Sequence, residues 1–173
     1  MVTKPALTAL DTFGERAPVL GVVLLNPPEG TGTATRRNLA VAVAVLGDPQ
    51  VRLANLFAKA TKNVAAINVA GAEAEGWIES RPELEAVLRE SDEVLFGWGV
   101  GSLSGAANHH FLEQIDWLHV AARQAGHSTF WSIGSEPRHP SRWHQYVSDR
   151  HGRTAGGTIT ERVAEVLVRL PLR

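Results

Sequence analysis

The chain has no cysteine. Thiol nucleophiles, cysteine-ligated zinc, iron–sulfur clusters and disulfide staples are therefore excluded. Long apolar runs are also missing: stretches such as Leu39 to Leu46 fall far short of the roughly 20 residues a membrane-spanning helix requires. Neither charge is in excess, with 17 Lys and Arg against 18 Asp and Glu and a formal net charge of -1. Such balance argues against a tight nonspecific duplex binder, whose affinity would come from surplus cations on phosphates. The first residues show no basic head followed by an apolar block and a cleavage site, so a cytoplasmic location and no membrane partner are expected. What is there is 173 residues, 44% hydrophobic and 20% charged, which suits one globular domain that needs no metal or disulfide to fold.

The pattern along the chain alternates strands with helices. Residues 1–17 have no clear period and read as an N-terminal arm. Val19 to Leu25 is a continuous β-branched and aliphatic run, the signature of a strand buried on both faces, and Asn26-Pro27-Pro28 stops it. A Gly/Thr-rich loop leads into a helix from Arg36 to Leu46, ended by Gly47-Asp48-Pro49. Val51 to Phe57 is a second apolar run, while Ala58 to Gly76 is small and polar without a strong amphipathic face. Ser80, Pro82 and Glu83 match a capping box at a helix start. Val94-Leu95-Phe96 before Gly97-Trp98-Gly99 is a third strand, Asn108 to Ala125 a long helix, and Thr129 to Ile133 a fourth strand. Residues 136–157 form a basic, aromatic loop, and 158–170 a last helix carrying Val163, Val166, Leu167 and Leu170. The expected architecture is a single α/β domain over 1–173, a three-layer α/β/α sandwich around a mostly parallel four-stranded sheet.

In such sheets functional groups gather at the C-terminal ends of the strands. Here those ends carry Asn26, then Asn55 with Phe57, then Trp98, and finally Arg138, His139 and Ser141. Thr35, Arg36 and Arg37 stand where a loop enters a helix, so free backbone amides and guanidinium groups can hold a phosphate together. Arg138, Arg142, Arg150 and Arg153, with His144 and His151, outweigh Glu136 and Asp149 and make the segment locally positive. Trp143 and Tyr146 interleave with them, a pairing that suits stacking plus phosphate contact on a nucleic acid or nucleotide. There is no P-loop, no G-x-G-x-x-G after the first strand and no G-x-S-x-G elbow. His109 and His110 are adjacent, so their rings diverge on a helix. No metal and no cofactor is expected.

Leu25-Asn26-Pro27, Arg36-Arg37 after Thr35, Asn55-Leu56-Phe57-Ala58 with Ala60-Thr61, Gly97-Trp98-Gly99 and Pro137-Arg138-His139-Pro140 resemble, in that order, the bacterial and phage family called domain of unknown function 1643. The likeness spans about residues 20–142 and implies no activity by itself. More distantly, Asn26-Pro27, Asn55, Glu83-Leu84 leading to Val94-Leu95-Phe96-Gly97, and His139-Pro140-Ser141 resemble the uracil-DNA glycosylase superfamily. That resemblance implies a uracil-DNA glycosylase-like fold and hydrolysis of an N-glycosidic bond. It implies Asn26 as the residue that positions water, His139 as donor to the departing base, Asn55 on the base edge and Phe57 or Trp98 on its face. Ser141 completes the His-Pro-Ser motif on the substrate side, and Trp143 becomes a wedge supporting a flipped nucleotide.

Two readings of other classes stand beside this one. The basic segment from Arg138 to Arg153 suits a noncatalytic nucleic-acid or nucleotide-binding module, and its Trp and Arg residues suit a protein-interaction hot spot. The oligomeric state is left open.

Overall fold

The computed structural model describes residues 16–99, 103–146 and 158–173. Most of the expected N-terminal arm, and Arg150, His151 and Arg153 of the basic segment, lie outside the described residues. The chain runs β1 (Val19–Leu24), α1 (Thr33–Val45), β2 (Gln50–Asn55), α2 (Val64–Ala70), α3 (Glu75–Glu79), α4 (Arg81–Glu90), β3 (Glu93–Phe96), α5 (Gly105–Gln124), β4 (Thr129–Ile133), a 3-10 turn (Pro140–Arg142), α6 (Trp143–Tyr146), α7 (Ile159–Val166) and β5 (Leu167–Pro171). The strands form one sheet in the order β2-β1-β3-β4-β5. β1 to β4 are parallel and β5 is antiparallel to β4.

All six residues of β1 are buried, as its unbroken aliphatic run demands. Side chains alternate between two cores. Val23, Val94, Phe96 and Phe130 pack with Ile67, Trp77, Leu84, Leu88, Phe111 and Leu118 from α2 to α5. Leu20, Val22, Leu24, Leu95, Trp131 and Ile133 pack with Leu39, Ala42, Trp143 and Val163 from α1, α6 and α7. Among the described residues no helix is long and apolar enough to cross a membrane.

The sheet has five strands where four were expected. Val163, Val166, Leu167 and Leu170 fit helical spacing, but α7 ends at Val166 and the chain turns into β5, so the helix expected to reach residue 170 stops short. β5 supplies backbone partners along the whole outer edge of β4, from Ile133↔Leu167 to Thr129↔Pro171. An exposed row of unpaired amides is thereby avoided. Ser80 also departs from expectation: its hydroxyl makes no cap and donates instead to the carbonyls of Leu56 (2.7 Å) and Trp77 (2.8 Å). Buried carbonyls between α3 and the end of β2 need donors more than the start of α4 needs a cap. A capping box lies at Thr158 and Glu161 instead.

Gly21 sits in the middle of β1 because α4 passes directly over it. A Cβ there would lie 2.6 Å from Ser91 Oγ and 3.0 Å from Val87 Cγ1. Ser91 Oγ is itself engaged, donating to the Val87 carbonyl at 2.7 Å. Gly21→Ala is therefore expected to cost about 1–3 kcal/mol of stability by overpacking, read as a lower midpoint in urea unfolding.

His119 is wedged edge-on between Phe96, Trp98 and Phe130, and its Nδ1 accepts from the backbone N–H of Arg173. Burial first, then the positive charges of Arg173 and Arg123, push its pKa down to about 4. The unfolded chain keeps the ordinary value near 6.5, so between those two values it binds the proton that the folded state refuses. Stability is expected to fall as pH drops from about 6.5 to about 4. His119→Phe should remove much of that slope in unfolding titrations repeated across the window.

Candidate functional site

The strand order reverses at β1: the chain leaves it through α1 to β2 on one side and later returns to β3 on the other. A crevice is expected outside the strand ends at such a switch point. A cleft of about 920 Å³ opens there, within the range of small-molecule sites. Asn26, Asn55, Trp98, Arg138, His139, Ser141 and Arg142 all line it, with Thr35 and Arg36 from the start of α1. Sequence reasoning therefore assigned one cavity from four separate loops.

The loops are held together by backbone bonds that prolong the sheet. Leu56 and Phe57 donate to the carbonyls of Leu24 and Leu25, and Gly97 donates to Val23. Gly99, at φ 100°, donates to Pro137 at 2.7 Å and ties the loop after β3 to the loop after β4. Two buried side chains complete the clamp: Asn38 Nδ2 donates to the Pro140 carbonyl at 2.6 Å, and Trp143 Nε1 to the Arg138 carbonyl at 2.7 Å.

Hydrogen bonding fixes the polarity of Asn26 and His139. Asn26 Nδ2 donates to the Pro27 carbonyl (2.8 Å) and to Thr61 Oγ1 (3.0 Å). A carbonyl can only accept, so the amide cannot be reversed and Oδ1 remains an acceptor. His139 Nδ1 accepts from the backbone N–H of Ser141 at 3.3 Å and lies 2.9 Å from Ser141 Oγ. A backbone N–H can only donate, so the neutral ring carries its proton on Nε2. Burial, and then the adjacent Arg142 guanidinium, hold the His139 pKa below its ordinary value. Asn55 is 9% exposed, and its Oδ1 is buried without a hydrogen-bond partner. An unpaired buried acceptor is costly. The cleft thus offers an acceptor at Asn26 and a neutral donor at His139, with Asn55 on the same lining.

Three expectations are corrected. Phe57 does not line the cleft: it is fully buried, 4.7 Å from the Trp77 ring, and lies so close to Gly76 that a Cβ there would sit 2.4 Å from Phe57 Cε2. Trp143 is 1% exposed and packs in the core with Leu39 and Val163, so it is neither a stacking surface nor a wedge. Arg37 is exposed on α1 but outside the cleft lining. Trp98 does line it, packed against Phe96 at 4.9 Å.

Sequence reasoning missed Asn38, and it gave no role to Thr61 or to Lys62, which also lines the cleft. Thr61 reaches Asn26 through a parallel bridge between Pro28 and Thr61, a tertiary pairing with no local sequence signal. Removing the Asn38 donor leaves the Pro140 carbonyl with the Trp143 backbone N–H alone, while the loss of its own unpartnered Oδ1 offsets part of the penalty. Asn38→Ala is expected to cost about 1 kcal/mol and to speed amide exchange at Gly99, whose partner is Pro137 in the same clamp.

The chain has no match among protein-family models, curated proteins or solved structures.

Proposed function

We propose that the protein is a glycosylase-like hydrolase that cleaves the N-glycosidic bond of an altered base in nucleic acid or a nucleotide. The observation that carries this reading is that Asn26, Asn55 and His139, from three different strand ends, line one cleft, with the polarity of Asn26 and His139 fixed by hydrogen bonds. Breaking a C1′–N bond builds positive charge on the sugar and negative charge on the base. A donor held ready for the base and a water held against the sugar lower that barrier without a strong nucleophile. His139 Nε2–H is the donor, and being neutral it stabilises a developing oxyanion without first surrendering a proton. Asn26 Oδ1 accepts from the attacking water and aims it. An amide does not take the proton, so the enzyme is slow or its substrate activated. Asn55 meets the base edge, and Trp98 supplies an apolar wall. The order of motifs shared with the uracil-DNA glycosylase superfamily supports the same assignment of roles.

Oligonucleotides carrying uracil, hydroxymethyluracil and other altered bases, incubated with the protein and then treated with alkali, should break at the abasic site. His139→Ala is expected to lower kcat about 10²-fold, the usual cost of one preorganised donor, and Asn26→Ala to lower it as well. No scission on any substrate, with Asn26→Ala indistinguishable from the parent, sinks the reading. The pH profile is a separate check. Protonating Nδ1 breaks the bond from the Ser141 amide, so activity should fall only on the acid side, below the ordinary histidine value of about 6.5. Arg142→Ala, by removing a positive neighbour, should move that limb upward.

A second reading, a noncatalytic nucleic-acid or nucleotide-binding module, is favoured by the four basic side chains on the cleft, Arg36, Lys62, Arg138 and Arg142. It gives salt-dependent binding with no product, surviving Asn26→Ala and weakened by Arg142→Ala.

A further inference from the structure

We infer that the cleft takes a free nucleoside 5′-monophosphate, its phosphate held between the start of α1 and Arg142, in preference to a base flipped from duplex DNA; this rests on the N-glycosidase reading above. Charge counting is the first ground. Among the described residues the cleft lining holds Arg36, Lys62, Arg138 and Arg142 and no carboxylate. Behind it, Glu29 lies 3.9 Å from Lys62, and Glu136 lies 3.3 Å from Arg138. Those pairs cancel locally. Arg36 and Arg142 remain, since Arg36 donates to the neutral Thr31 carbonyl and His139 carries no charge. The surplus of two positive charges matches a phosphomonoester, which carries about -1.5 to -2 near neutral pH, and exceeds the single charge of a phosphodiester.

The entry to α1 adds directed donors. Gly32, at φ 58°, turns the chain into this 13-residue helix, and no side chain caps its first turn, which holds no acidic residue. The backbone N–H groups of Thr33, Ala34 and Thr35 therefore have no helical partner. Gly32, Thr35 and Arg36 border the cleft that Asn26, Asn55 and His139 also line. One ligand with a dianionic end and a polar base edge reaches both.

The second ground is what the duplex alternative would need. An enzyme that extrudes a base must unstack it and fill the gap. Trp143, the aromatic residue placed for that task in the sequence, is locked in the core by packing and by its bond to the Arg138 carbonyl. A free nucleotide needs no wedge. In the reaction, water adds hydroxyl to C1′, the C1′–N bond breaks with its electron pair going to the base, and the water's proton ends on the base. The products are the free base and a sugar 5-phosphate.

The test compares deoxyuridine 5′-monophosphate, its 5-hydroxymethyl analogue, the matching nucleosides, and single-stranded and duplex oligonucleotides with the same bases, with product release followed by chromatography and binding by calorimetry. Expected is a monophosphate preferred over its nucleoside by at least tenfold in kcat/KM and in binding. That ratio should fall about tenfold in Arg142→Ala, mainly through KM, and recover in part in Arg142→Lys. Cleavage of oligonucleotides without cleavage of the monophosphate overturns this inference and leaves the N-glycosidase reading standing. With no cleavage of anything, that reading falls and calorimetry decides this one: tighter binding of monophosphate than nucleoside, lost in Arg142→Ala, upholds the phosphate site, and equal binding overturns it.

Discussion

The constraint on which the rest of the structure depends is the complete burial of β1. Six residues with both faces in apolar cores have no water for their amides and carbonyls, so the backbone must be paired on both edges. β2 supplies one edge over the full length of the strand and β3 the other. With α1 leading to β2 on one side and the rest of the chain returning to β3 on the other, the direction of winding reverses at β1. A crevice at its C-terminal end follows from that reversal. Asn26 lies two residues beyond the strand, at the floor of the crevice, because the strand has nowhere else to end.

The same backbone economy explains how the loops of the site are tied together. Carbonyls at and beyond the strand ends still need donors, and they find them in neighbouring loops: Leu24 and Leu25 in Leu56 and Phe57, Val23 in Gly97, Pro137 in Gly99. Each bond that closes a strand end also sets the distance between two walls of the cleft. Asn38 and Trp143 act likewise from below, fixing Pro140 and Arg138 on either side of His139. The imidazole is thus oriented by a loop whose position is determined by packing under the sheet. Its tautomer is set by the Ser141 amide, a consequence of the tight turn through Pro140.

Much of this was legible in the sequence, and the gaps have physical causes. β4 was placed at Thr129 to Ile133 because an apolar run closed by glycine has one reading. Asn26, Asn55 and His139 could be singled out because polar residues at strand ends acquire a common location from the topology. Phe57 and Trp143 could not be sorted in the same way. An aromatic residue after a strand looks alike in sequence whether it faces the cleft or the core. The choice depends on distant partners: Gly76 leaves room for Phe57, and Leu39 and Val163 receive Trp143. β5 was hidden because Val166-Leu167-Val168-Arg169-Leu170 fits a helical and an alternating pattern equally, and only the open edge of β4 decides between them.

A net charge of -1 over the chain and a cationic cleft are compatible because, among the described residues, no acidic side chain enters its lining. The identity of residue 26 belongs to the same logic. A carboxylate there would be a stronger base toward water, but it would face the Pro27 carbonyl, lose both donors of the present amide and cancel one of the two surplus positive charges. A protonated His139 is disfavoured first by burial and then by the charge of Arg142, which together hold its pKa below the ordinary value. Neutral groups at positions 26 and 139 therefore leave the field of the cleft to Arg36 and Arg142. On the reading proposed above, they orient water and base by direction, while charge is reserved for the phosphate. The arrangement so read gives up catalytic basicity at Asn26 for selectivity toward an anionic ligand, which suits a small nucleotide better than a long polymer.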